Sequence, residues 1–185
     1  FLLSNTLMIK PMGTPDSSQE PVLPDLLPNG VQLVFCGSAA GTVSAQKQAY
    51  YAGPGNKFWP TLFETGLTPR LFLPNEYHLL PNYGIGLTDM AKSVFGSDAS
   101  LPKNADDPQR VHQVVSEISP RALAFVGKRS AQVFFKAHFG IKNMAYGLQQ
   151  QNLGDAKIFV LPSPSGLAVR YWDIAPWQAL ATYMK

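Results

Sequence analysis

Val31-Gln32-Leu33-Val34-Phe35-Cys36, closed by Gly37, is the stretch on which the fold turns. Apart from Gln32 the run is apolar, which leaves no alternation for a water-facing side. It therefore reads as a strand buried on both faces. Ala122-Leu123-Ala124-Phe125-Val126 and Lys157-Ile158-Phe159-Val160-Leu161 have the same character, and Gly84-Ile85-Gly86-Leu87-Thr88 is a fourth strand of this kind. Residues 144 to 153 carry weaker marks and suit an extra strand or hairpin arm.

Helical patterns separate these runs. Asn56 is placed to cap a helix that carries Phe58, Trp59, Leu62 and Phe63 inward and stops at Gly66. A short helix over Glu76 to Leu80 precedes the strand that begins at Gly84. Asp107 caps the clearest helix: Pro108 takes its first position, Val111, Val114, Val115 and Ile118 repeat at helical spacing, and Pro120 ends it. Another helix runs from about Arg129 to Phe139 and closes at Gly140. The last begins at Asp173 and carries Trp177, Leu180 and Tyr183.

Buried strands alternating with amphipathic helices predict an α/β fold, a three-layer α/β/α sandwich around a mostly parallel central sheet. Residues 1–28 hold Pro11, Pro15, Pro21, Pro24 and Pro28 among small polar residues. They are expected to form an irregular arm, and residues 29–185 a single domain.

The 185 residues are 45% hydrophobic and 15% charged, which excludes a disordered chain, and the formal charge of +3 permits an anionic partner without demanding one. Cys36 is the single cysteine, so an internal disulfide and a cysteine-based zinc cluster are excluded. His78, His112 and His138 lie in or near helices without ligand spacing, and no metal is expected. No apolar run has the length of a membrane span, and Phe1-Leu2-Leu3 lacks the basic leader of a signal peptide.

A mostly parallel sheet places its sites beyond the carboxyl ends of its strands. Gly37-Ser38-Ala39-Ala40-Gly41 leaves the first strand with small residues that let backbone N–H groups approach a ligand; a plain tight turn is the alternative. Tyr50 and Tyr51 precede Gly53-Pro54-Gly55, where an aromatic could stack on a flat ligand or seal the loop against the core. Asp89 follows an apolar strand directly, and serves either as a carboxylate facing a developing positive charge or as a helix cap. Leu161-Pro162-Ser163-Pro164-Ser165-Gly166-Leu167 is a stiffened loop with Leu167 at its tip, built as an apolar wedge or an ordinary connection. Lys47, Lys57, Lys92, Lys128, Arg129 and Arg170 map to the same side, as phosphate contacts or as a solvated surface.

Taken together these segments resemble the mismatch-specific uracil/thymine DNA glycosylases, the bacterial MUG and eukaryotic TDG group. The parts that carry the resemblance are the Phe35-Cys36-Gly37 strand end, Tyr51 through Trp59, Gly86-Leu87-Thr88-Asp89, Ala124 through Lys128, and Pro164-Ser165-Gly166-Leu167, in the family's order. The resemblance implies a uracil-DNA glycosylase-like fold and a repair enzyme that flips uracil from a G:U mismatch and cleaves its N-glycosidic bond. It implies a base pocket of Gly37, Ser38, Ala39, Tyr51 and Ser163. The part that enters or grips DNA is Ser165, Gly166, Leu167, Lys57, Lys128 and Arg170. No cofactor is implied. The partner is double-stranded DNA containing uracil or a G:U/G:T mismatch, and the chain is expected to be a monomer, cytoplasmic and nucleoid-associated in a bacterium or nuclear in a eukaryote.

Departures from the family pattern bear on mechanism. The first motif of the family has an Asn that positions water where this chain has Ala39; Ser163 replaces the Asn that opens the second motif; Val169 stands where some members have Arg. Asp89 is the residue expected to supply the missing polar group and to be catalytic. The alternatives are a catalytically weak or inactive relative that binds damaged DNA, and a hydrolase of free nucleosides.

Overall fold

The computed structural model describes residues 19–185; residues 1–18, and with them most of the expected Pro-rich arm, lie outside the described residues. Among the described residues five strands form one sheet: β1 (Leu33–Gly37), β2 (Ile85–Asp89), β3 (Ala122–Val126), β4 (Gly147–Leu153) and β5 (Ala156–Leu161), in the order β2-β1-β3-β5-β4. All neighbours are parallel except β4, which runs antiparallel to β5 at the edge. The register sets Gly37 opposite Asp89, and Val126 opposite Leu161. Four strands thus finish at one end of the sheet.

Every residue of β1, β2 and β3 is buried, as continuous apolar runs require. Their side chains part by alternation. Leu33, Phe35, Leu87, Ala124 and Phe159 pack on one face against Phe58, Leu62, Trp177 and Leu180. Val34, Cys36, Leu123, Phe125 and Val160 pack on the other against Val111, Val115, Phe134 and Phe135. The helices behind these contacts are α2 (Phe58–Glu64) and α5 (Ala175–Met184) on the first face, and α3 (Pro108–Ile118) and α4 (Lys128–Phe139) on the second. The expected three-layer α/β/α sandwich is the observed fold.

Local chemistry sets the boundaries. The Asp107 carboxylate accepts the backbone N–H of Arg110 at 2.9 Å, capping α3 ahead of Pro108. Asn56 Oδ1 accepts the N–H of Phe58 at 2.9 Å at the start of α2. Phe63 was expected to face inward and instead is 49% exposed: Phe58, Trp59 and Leu62 already fill the inner stripe. Residues Pro74–Tyr83 form 3-10 turns and not an α-helix, with Pro81 inside the segment. The loop after β1 holds a short helix, α1 (Thr42–Lys47), that periodicity did not signal.

Part of the Pro-rich segment is built into the domain. Leu26 exchanges backbone hydrogen bonds with Leu87 at 2.9 and 3.0 Å, Val22 donates to the Lys92 carbonyl at 2.7 Å, and Leu23 is buried. This covers the open edge of β2, which would otherwise present unpaired backbone groups.

Candidate active site at the strand ends

Asp89 is the last residue of β2 and is 4% exposed. A Cβ built on Gly37 would stand 2.7 Å from Asp89 Oδ1 and 3.3 Å from the Tyr51 hydroxyl. Only a residue without a side chain lets the carboxylate close on β1, and that explains the glycine. Of the two roles open to Asp89 from sequence, capping is not the one observed. No backbone N–H donates to it among the described residues, and the next α-helix is capped by Asp107.

Its partner is Lys92, whose Nζ donates to Asp89 Oδ2 at 3.2 Å and to the Tyr50 hydroxyl at 2.9 Å, and lies 3.3 Å from Asp25 Oδ1. Arg110, from the first turn of α3, donates to Asp25 Oδ2 at 2.7 Å, to Thr88 Oγ1 at 3.2 Å and to the Asp89 carbonyl. Thr88 donates to Asp25 Oδ1 at 2.6 Å. Burial pushes the Asp89 carboxyl above the usual carboxylate range, with Lys92 pulling it back, Asp25 adding to the rise and Arg110 opposing it. Two carboxylates and two cations therefore share one half-buried cluster. An anion held in such a water-poor setting acts more strongly on a nearby positive charge than one in bulk solvent.

The loop leaving β1 is stitched to the loop leaving β2: Met90 donates to the Gly37 carbonyl and Ala91 to the Ser38 carbonyl, both at 2.8 Å, and Gly96 to the Ala40 carbonyl at 2.9 Å. The backbone N–H groups of Ser38 and Ala39 have no protein acceptor among the described residues, which leaves two donors at the strand end. Tyr50 and Tyr51 both pack against the core. Tyr50 is buried in the core and its hydroxyl donates to the Pro24 carbonyl at 2.9 Å. Tyr51, in the left-handed region at φ +54, lays one ring face on Phe58 with centroids 3.8 Å apart, and its buried hydroxyl has no partner among the described residues.

The loop after β5 is held from behind. Trp177 Nε1 donates to the Pro162 carbonyl at 3.1 Å, and the N–H of Lys57 to the Pro164 carbonyl at 2.8 Å. Ser163 Oγ accepts from the N–H of Ser165 at 3.3 Å, and Ser165 Oγ from that of Leu167 at 3.2 Å. On the 3-10 turn that follows (Gly166–Tyr171), Leu167 is 88% exposed, with Val169 and Tyr171 also exposed beside it. A Cβ on Gly166 would meet the Pro54 carbonyl oxygen at 2.9 Å, so the two loops touch backbone to backbone. Gly166→Ala is expected to push them apart and lower stability by about 1–3 kcal/mol, read from urea unfolding curves.

Of the six cations that map to the strand-end side, two have carboxylate partners among the described residues. Lys92 is committed to Asp89 and Asp25, and Arg129 pairs with Asp106 at 3.0 Å. Lys57, Lys128 and Arg170 lie over the rings of Trp172, Tyr146 and Tyr171 respectively. The structure brings Gly37, Tyr51 and Asp89 together and sets Ser163 beside Gly127. Sequence reasoning missed Asp25, Arg110 and Tyr50 as neighbours of Asp89. Among the described residues no group of three or more His, Cys, Asp and Glu could hold a metal ion, and no helix is long and apolar enough to cross a membrane.

A parallel-sheet α/β domain with a buried carboxylate, unengaged backbone donors and an exposed apolar loop tip at its strand ends is the class that fold and site define. The chain belongs to the uracil DNA glycosylase superfamily, whose family model matches residues 24–183. Its fold is similar to that of a candidate uracil DNA glycosylase of Methanosarcina acetivorans solved by solution NMR, with a TM-score of 0.60 and 23% identity over 90% of this chain and 98% of that one.

Proposed function

We propose that this chain is a monofunctional DNA repair glycosylase that flips uracil out of double-stranded DNA, preferentially from G:U mismatches, and hydrolyses its N-glycosidic bond to leave an abasic site. The observation that carries this reading is Asp89, a buried carboxylate set against Gly37 beside the unengaged N–H groups of Ser38 and Ala39. Cleavage of the bond from C1′ to N1 leaves positive charge on the sugar and negative charge on the departing base. Asp89 faces the first and guides water to C1′; the two N–H groups receive the second. The water oxygen bonds to C1′, its proton passes by way of Asp89 to solvent, and the uracil anion takes up a proton from solvent. No covalent nucleophile enters this scheme. Gly37, Ser38, Ala39, Tyr51 and Ser163 line the base pocket.

Leu167 is the wedge. Extruding a base costs a few kcal/mol, least at a mispair, and an apolar side chain filling the vacated stack offsets part of that cost. Leu167→Ala is expected to slow excision from a G·U duplex about tenfold, ~1.4 kcal/mol of barrier, while leaving thermal stability unchanged because the side chain is exposed. In this reading Lys57, Lys128 and Arg170 meet phosphates, and Ser165 and Gly166 shape the loop.

A panel of oligonucleotides with one uracil opposite G, opposite A or in a single strand, run beside free deoxyuridine at rising salt, tests the reading. Fastest release from the G·U duplex, with binding that weakens as salt rises, is the expected result. Salt-insensitive cleavage of the free nucleoside and no DNA affinity would replace it with a nucleoside hydrolase. Ala39 specifically favours a second reading, a damaged-DNA binder without catalysis, since its methyl group cannot orient water. Duplex binding with no abasic product is its signature.

A further inference from the structure

Asp89 does not stand alone with Lys92. The same ammonium is divided between two carboxylates at nearly equal distance, 3.2 Å to Asp89 and 3.3 Å to Asp25, and Asp25 comes from the segment that straps the outer edge of β2. That segment touches both loops flanking the site. The Pro24 carbonyl accepts from Tyr50, the Val22 carbonyl from Gln48 Nε2 at 3.2 Å, and the Val22 N–H donates to the Lys92 carbonyl. Asp25 also anchors Arg110 and Thr88.

We propose that Asp25 is a positioning residue for the Asp89 carboxylate: it holds Lys92 and Arg110 back, so that the ionised Asp89 is not drawn into a closed ion pair and remains free to act on the sugar. This rests on the catalytic role given to Asp89 above. Without Asp25 the lysine would have one carboxylate left and would neutralise it, and the cluster would pass from balanced charge to an excess positive charge facing a cationic transition state. The groups that face Asp89 are Lys92 on its own loop, Asp25 on the strap, Arg110 on α3, Tyr50 and Tyr51 on the loop after α1, and Cys36 on β1. Burial pushes the two tyrosines and Cys36 far up and leaves them neutral, so Asp25, Lys92 and Arg110 set the balance.

The signs are opposite for the two neighbours. Excision requires ionised Asp89 and falls as pH drops through its raised pKa. Asp25→Asn removes a negative neighbour, so the acid limb of the pH–rate profile moves to lower pH, and the plateau rate falls. Lys92→Gln removes a positive neighbour, and the limb moves to higher pH. A general loss of structure cannot move the limb in both directions.

The test is single-turnover uracil release by the full chain from a G·U duplex across pH, for wild type, Asp25→Asn, Lys92→Gln and Asp89→Asn, with thermal melts of each. Displacements of opposite sign support the proposal. An Asp25→Asn chain that folds, excises and keeps the wild-type limb overturns it, while the role of Asp89 stands if Asp89→Asn is inactive. Should Asp25→Asn fail to fold, Lys92→Gln decides alone: an unmoved limb there overturns the proposal equally. An Asp89→Asn chain as active as wild type overturns the underlying reading and this proposal with it.

Discussion

Asp89→Asn is expected to slow uracil release at least about tenfold, a barrier increase of roughly 1.4 kcal/mol or more, while duplex binding survives. The amide has the shape of the carboxylate and fits against Gly37, but it carries no charge. Lys92 would keep Asp25 and Tyr50 as partners, so the fold has no reason to fail. The site itself changes sign: one carboxylate would face two cations, and a sugar developing positive charge would meet net repulsion. Removing a buried carboxylate also removes its desolvation cost, so the melting temperature should hold or rise. Loss of excision with intact stability and intact binding is the pattern that separates chemistry from folding.

Trp177→Ala is the second large effect, and it works through structure. Trp177 is fully buried, stacks on Phe35 with centroids 5.7 Å apart at 29°, meets Phe58 edge-on, and holds the Pro162 carbonyl through its indole N–H. Truncation opens a cavity under the strand ends and strands a carbonyl, at a cost of about 3–5 kcal/mol in urea unfolding. The loop from Ser163 to Leu167 loses its anchor at the same time, so excision should fall further than in Leu167→Ala. Trp177→Phe keeps most of the packing and loses the hydrogen bond, costing about 1–2 kcal/mol. A Trp177→Ala chain that unfolds at the wild-type urea midpoint would show that α5 does not support this end of the sheet.

The parts of the molecule legible in sequence are those written in local chemistry. Ala122–Val126 is a strand to the residue because an apolar run between Pro120 and Gly127 has no other use. α3 begins where Asp107 and Pro108 placed it. The site is legible only in its one-dimensional part: Gly37 and Asp89 end strands that the pattern marks, and Leu167 lies on the turn that follows another. Asp25, Thr88, Lys92 and Arg110 meet because strand order and the strap bring them together, and no spacing records that. Charge is visible in a sequence, but the partner of a charge is not. Lys92 and Arg129 map to the strand-end side in sequence, and the structure ties each to a carboxylate. Phe63 failed for a related reason, since periodicity shows the width of an apolar stripe and not how much of it the sheet can cover.

The central claim is that this chain removes uracil from DNA with Asp89 in the chemistry. The most direct measurement is single-turnover release of uracil from an end-labelled duplex carrying one G·U pair, with alkaline cleavage of the abasic product, for the wild-type chain and Asp89→Asn side by side. The account predicts strand scission at the uracil position with the wild type and at least about tenfold slower product formation with the variant. Intact duplex after incubation with a wild-type chain that binds it would contradict the account.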